Sequence, residues 1–183
     1  MSNKLPQLVM SRPNLEGLPA NHLPDGYYVR HYNGEEDAAA WNRIIEESFQ
    51  WQADFNKNIK ANEFFKPERV WFVCHGDLPI ATATAWYRPN WGERVGYLHM
   101  VGLLPEYAGK GLGLQVSLAA LHQMKREGMK SAVLETDDFR IPAIKTYIKL
   151  GFLPQITHES HSERWNKILT LINRNDLGIY LNS

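Results

Sequence analysis

The chain has 183 residues, a length that suits one compact domain. Hydrophobic residues make up 44% of it, enough for a real core and too many for a disordered chain. Twenty basic and twenty acidic side chains cancel to a formal net charge of zero, which excludes a global attraction for nucleic acid or anionic membrane, and no basic run supplies a local one.

Residues 1–11 lack the continuous apolar segment of a signal peptide, and Pro6 interrupts what there is. No stretch further on approaches the ~20 apolar residues that span a bilayer. The expected place is therefore the cytoplasm. Residues 1–26 carry Pro6, Pro13, Pro19 and Pro24 with Gly17 and Gly26, a spacing that rules out a long helix. They read as an N-terminal arm lying on the domain or partly loose, with residues 27–183 forming a single domain. Residues 27–32 (YYVRHY) are rich in aromatic and β-branched types and predict a first strand. Residues 35–49 predict a helix, with Ala38, Trp41, Ile45 and Phe49 at helical spacing and acids in the first turn, where the dipole favours them. A second helix is expected over residues 54–65.

Three strand-like runs follow, over residues 69–75, 80–87 and 94–104, separated by short turn segments as in an antiparallel meander. The single cysteine, Cys74, excludes an intramolecular disulfide; its apolar neighbours make it a buried thiol rather than a nucleophile. The pattern then changes to helix (112–127), strand (131–136), helix (141–150) and strand (152–157). That alternation is the βαβ grammar of a sheet with crossover helices. A last helix is expected after Ser160-x-x-Glu163, which has capping-box spacing. The fold class is α/β, with a mixed, mainly antiparallel central sheet flanked by helices.

The most informative segment is VGLLPEYAGKGLGLQ, residues 101–115. A strand ends, Pro105 breaks its ladder, and Gly109, Gly111 and Gly113 precede an amphipathic helix. Glycines let a backbone approach an anion closely. The following helix presents free N–H groups and the positive end of its dipole. A pyrophosphate fits such a cradle, with Lys110 adding charge at its rim. The nucleotide triphosphatase loop G-x-x-x-x-G-K-[ST] is absent. The dinucleotide fingerprint fails at its last glycine, where Leu114 or Val116 stands. Glu135, at the end of a strand beyond the loop, is the one feature in that reading's favour.

Two linked motifs resemble those of the GNAT superfamily of acyl-CoA N-acyltransferases. Val101-x-Leu103-x-Pro105 followed by Ala108-x-x-Gly111-x-Gly113 is similar to the family's acyl-CoA strand and loop. Arg140-x-x-Ala143-x-x-x-Tyr147-x-x-x-Gly151-Phe152 is similar to its later N-x-x-A-x-x-x-Y-x-x-x-G-F motif. Together they cover about a third of the chain. Two departures stand out. Ala108 replaces a glutamine or arginine and leaves only backbone donors there. Arg140 replaces an asparagine and is open to a CoA phosphate or to pairing with Asp137 or Asp138.

The resemblance implies a GNAT-like fold, acetyl-CoA as cosubstrate, no metal, and an amine acceptor attacking in a ternary complex. The chain would work as a monomer or homodimer; a non-catalytic acyl-CoA-binding domain of the same fold is the alternative. The cosubstrate would lie on the backbones of Val101 and Leu103 and on Ala108, Gly109, Lys110, Gly111, Leu112 and Gly113, with Arg140 beside it. Tyr147 matches the tyrosine that protonates the departing thiolate; the other reading makes it a core aromatic. His99 is the nominated base, since strand alternation puts Tyr97, His99, Val101 and Leu103 on one face; the other reading makes it a half-buried histidine bonded to a neighbour. Glu135 is a further group able to face the amine. Trp86, Tyr87 and Trp91 are available to line an acceptor cleft. Asp137-Asp138 suits helix capping, and His158-x-x-His161 lacks a third metal ligand.

Overall fold

The computed structural model describes residues 5–181. In chain order it contains β1 (Leu8–Arg12), β2 (Tyr27–His31), α1 (Glu35–Phe49), β3 (Val70–His75), β4 (Leu78–Tyr87) and β5 (Val95–Leu103). Then come α2 (Leu112–Arg126), β6 (Ser131–Thr136), α3 (Ile141–Lys149), β7 (Leu153–Gln155) and α4 (His161–Leu171). The seven strands form one sheet in the order β2-β3-β4-β5-β6-β1-β7. Every strand pair is antiparallel except β5 with β6, the pair joined by the α2 crossover.

The helices take opposite faces of this sheet. A side chain at Gly102 would meet Ile44 and Ser48 of α1 at 3.0 Å, whereas one at Gly96 would meet Met124 of α2 at 2.5 Å. Glycine at both positions lets a helix lie directly on the central strand. Trp41, Ile44 and Ile45 fill one layer, and Val116, Ala120, Leu121 and Met124 the other. Both helices expel apolar surface on the face their period assigns them.

Residues 8–12 correct the expectation of an arm. They form β1 and sit between β6 and β7, antiparallel to both, with Leu8, Val9 and Met10 buried. Pro6 and Pro13 forbid a helix but bracket a proline-free run, LVMSR, long enough for a strand. Residues 13–23 then cross α2 and are tied down: Leu15 N–H donates to Lys130 O at 2.9 Å, and the Asn21 amide to Gln115 O at 2.8 Å. Residues 1–4 of the expected arm lie outside the described residues.

The helix expected over residues 54–65 shrinks to one π-helical turn, Asn56–Lys60. Asp54, Asn58 and Asn62 side chains accept hydrogen bonds from nearby backbone N–H groups of Lys57, Asp54 and Phe64. Such local bonds compete with helix propagation. Phe55 and Ile59 still anchor the segment, and Phe55 stacks on Tyr32 with ring centroids 4.9 Å apart. Ser160 stands at the start of α4 but makes no capping bond; its hydroxyl pairs with His158 Nδ1 at 2.9 Å instead.

Candidate active site

One irregularity opens the sheet. β5 pairs with β6 only over Val95–Tyr97 and then parts from it, while β4 follows β5 to Leu103. Between His99 and Gly102, β5 has one residue more than β4, a bulge at which Met100 adopts φ +51°. A bulge bends its strand and re-aims the residues beyond it. The resulting cleft has a volume of about 140 Å³. Leu98, His99, Met100 and Val101 form one wall, with Glu135 and Thr136 of β6, Arg140 at the start of α3, and Ala143 and Tyr147 of α3 opposite.

The bulge also corrects the expected alternation. His99 pairs with Thr84 and Gly102 with Thr82, so these four share a face, and Leu103, opposite Ala81, falls on the other. Val101 lies at the bulge without a register partner and lines the cleft. Leu103 does not offer free backbone groups. Its N–H donates to Ser48 Oγ at 2.9 Å, and that hydroxyl lies 3.1 Å from its carbonyl oxygen.

The glycine loop lies beyond the C-terminal end of β5. Residues Pro105–Tyr107 make a 3-10 turn, Ala108 is extended, and Gly109 and Gly111 take φ of +82° and +73°. Gly111 caps α2 in the left-handed region, where only glycine rests without strain. A Cβ added at Gly109, Gly111 or Gly113 would meet nothing within 4 Å. The space above the loop is therefore open, and among the described residues no backbone group accepts from the amides of Gly109, Lys110 or Gly111. Such a nest at a helix start suits a phosphate oxygen. Lys110 stands at the rim, exposed, with Nζ 3.0 Å from the Tyr27 hydroxyl.

Tyr147 is buried, and its hydroxyl has no hydrogen-bond partner among the described residues. Burial pushes its pKa up to about 12. The phenol thus stays protonated across the working range, a better hydrogen-bond donor than acid. His99 behaves otherwise than expected. Desolvation, aided by the charge of Arg88, holds its pKa down to about 3. An imidazole so disfavoured as a cation is a weak proton acceptor, which corrects the picture of a histidine poised near neutrality.

The charged centre of the cleft is Glu135. Its carboxylate accepts from Arg88 at 2.7 Å and from the Tyr97 hydroxyl at 2.7 Å, and Arg88 also lies 3.9 Å from the Tyr97 ring centroid. Arg88 escaped sequence reasoning because it sits in the turn after β4, and only its long side chain reaches Glu135. Arg140 makes its contacts at the start of α3. It pairs with Asp137 at 3.2 Å and lies 4.0 Å over the Phe49 ring, while Asp138 is taken by Arg164. Trp86 is buried beneath His99, while Trp91 stands at the far end of β5. His158 and His161 bond Ser160 and Thr157, and no group of three metal-ligating side chains occurs among the described residues.

A family model described as the acetyltransferase (GNAT) family matches residues 29–152. The chain belongs to this family. A mycothiol acetyltransferase of Nocardia farcinica is 32% identical over 148 residues, which span 75% of this chain and 48% of that protein. One of Frankia casuarinae is 28% identical over 177 residues, covering 86% and 51%. The chain thus spans about half the length of the curated relatives it matches. A GCN5-related N-acetyltransferase from Sphaerobacter thermophilus shares the fold, with a TM-score of 0.62 at 19% identity over 82% of this chain and 50% of that one. No helix among the described residues is long and apolar enough to cross a membrane.

Proposed function

We propose that the chain is an N-acetyltransferase that moves the acetyl group of acetyl-CoA to a primary amine by direct attack in a ternary complex. The observation that carries this reading is what β5 joins: its bulged half walls a gap that Glu135 and Tyr147 also line, and the loop that follows it holds an open nest of amides. The pyrophosphate would lie on residues 108–113, the pantetheine arm along Val101, and the thioester beside Tyr147. For the arm to bond Leu103 as well, the Ser48 hydroxyl must turn away. A buried, free Cys74 accords with a cytoplasmic setting.

An acceptor amine of pKa ~10.4 arrives protonated. Neutralising it at pH 7 costs about 4.6 kcal/mol unless the site helps. Glu135 supplies the negative charge that attracts the ammonium and, directly or through a water, accepts its proton. Arg88 and Tyr97 fix the direction of that carboxylate, and His99, neutral, accepts a hydrogen bond nearby. The amine nitrogen then attacks the thioester carbonyl carbon, the C–S bond breaks, and Tyr147 donates a hydrogen bond or its proton to the departing sulfur.

Release of CoA thiol over a panel of amines tests the proposal. Thiol should appear only when an amine is present, and Glu135→Gln should lower kcat/KM for the amine about 100-fold without changing acetyl-CoA affinity. Binding of acetyl-CoA with no amine-dependent thiol would leave a binding domain rather than an enzyme.

A further inference from the structure

The ion pair in the cleft is gripped by one prong only. Arg88 Nη1 donates to Glu135 Oε2 at 2.7 Å, and the Tyr97 hydroxyl donates to the same oxygen. Two other arginines of the fold close on their carboxylates with both prongs. Arg30 holds Asp37 through Nη1 and Nη2, each at 2.7 Å, and Arg174 holds Asp176 through Nε and Nη2, each at 2.8 Å. At Arg88 the Nε–Nη2 edge donates to no described residue, and at Glu135 Oε1 accepts from none. Neither group is sealed off: the side chains are 38% and 26% exposed, and both line the cleft that Tyr147 lines. Packing holds the free edge in place, since the guanidinium lies 3.9 Å from the centroid of the Tyr97 ring. A free anionic oxygen and a free two-pronged cationic edge thus stand at the two ends of a single ion pair.

We infer that Arg88 selects the acceptor and that the acceptor is an α-amino acid, its ammonium on Glu135 Oε1 and its carboxylate along the Nε–Nη2 edge of Arg88. The inference rests on the transferase reading above. A planar edge with two parallel N–H groups matches the two oxygens of a carboxylate. The spacing sets the rest. Arg88 and Glu135 are in direct contact, so the two groups of the ligand must also be close, as they are when amine and carboxylate share one carbon. A carboxylate at the far end of a chain reaches Arg88 only by folding back. The charges agree. When Glu135 accepts the proton of the amine, Arg88 loses its counter-charge, and the carboxylate of the acceptor replaces it. Arg140, the other arginine of the lining, already has Asp137. A second cationic group on the acceptor would instead face Arg88, which disfavours a polyamine.

The test pairs L-amino acids with their amino alcohols (alanine with alaninol, leucine with leucinol, methionine with methioninol), which keep the amine and the side chain and lose the carboxylate. Thiol release by the wild type should give the amino acid a kcat/KM at least about tenfold higher in each reactive pair, most of it in KM. Arg88 also steadies Glu135, so Arg88→Gln should slow both members. A purely structural part would slow them equally, whereas reading of the carboxylate takes their ratio down to about one. Arg88→Lys, which keeps the charge without the fork, should leave a ratio in between. 6-Aminohexanoate should react with the wild type no better than an amino alcohol, a comparison that needs no variant. Equal or faster turnover of the amino alcohols, a ratio that survives Arg88→Gln, or a preference for spermidine would overturn the inference. If no amine releases thiol, the transferase reading fails by itself, and saturation-transfer NMR with the same amino acids decides the paired site. A signal in the wild type that is lost in Arg88→Gln upholds it; no signal, or one that persists in the variant, removes it.

Discussion

At the scale of single residues, the environment of each side chain decides its part. Tyr147 was legible as a residue to watch because its motif has fixed spacing, and the structure puts it on the cleft wall as a buried phenol with pKa near 12, which in the proposed mechanism donates without ionising. Tyr147→Phe should lower kcat about 100-fold and leave the acetyl-CoA dissociation constant within about twofold, measured by stopped-turnover kinetics and calorimetry. His99 was legible as a cleft residue but not as a neutral one. Alternation places a side chain on a face; it carries no information on how many apolar neighbours desolvate it. In the folded protein this imidazole stays neutral down to about pH 3, whereas in the unfolded chain it takes up a proton near pH 6.5. The unfolded state therefore binds more protons within that window, and His99 makes stability fall as pH drops through it. Urea midpoints of His99→Gln should vary less between pH 6.5 and pH 4 than those of the wild type.

At the scale of elements, the crossover half of the chain was read almost to the residue, because α2, β6 and α3 alternate in period and are punctuated by Gly128 and Pro142. The bulge in β5 was not legible, since no glycine or proline marks Met100 and the register of a partner strand creates it. The missing helix over residues 54–65 has the converse cause, apolar spacing overridden by asparagine and aspartate side chains that bond the local backbone. The glycine loop offers a separation of stability from binding. Gly113 lies in the first turn of α2 with ordinary φ, and its Cβ would point into open space. Gly113→Ala should therefore hold or raise the unfolding temperature, since alanine is the better helix former. If a pyrophosphate occupies that space, the same methyl group weakens acetyl-CoA binding. Loss of stability in Gly113→Ala would contradict the open geometry.

At the scale of the whole molecule, the sheet is completed by its own N-terminus. β1 bonds β6 on one side and β7 on the other, so near its C-terminal end, where β5 has parted from it, the strand carrying Glu135 is held only by residues that a local reading set aside as an arm. Prolines suppressed the signal, and long-range pairing is invisible to a windowed pattern. A second long-range tie joins the end of α2 to the start of β3, where Arg69 Nε donates to Glu127 at 3.0 Å with both side chains mostly covered. Arg69→Leu, which strands the carboxylate, should cost about 3 kcal/mol in denaturant unfolding. The double variant with Glu127→Leu should recover most of that loss. Under the proposed function the cleft between β5 and α3 takes the thioester while the amides of the glycine loop hold its pyrophosphate. Titration calorimetry of acetyl-CoA into the wild type and Gly113→Ala examines this directly. Saturable heat with the wild type, and binding at least about tenfold weaker with the variant, is the expected result. No heat with the wild type at millimolar ligand and low salt, or equal affinity in both proteins, would contradict a pyrophosphate held by the amides of this loop.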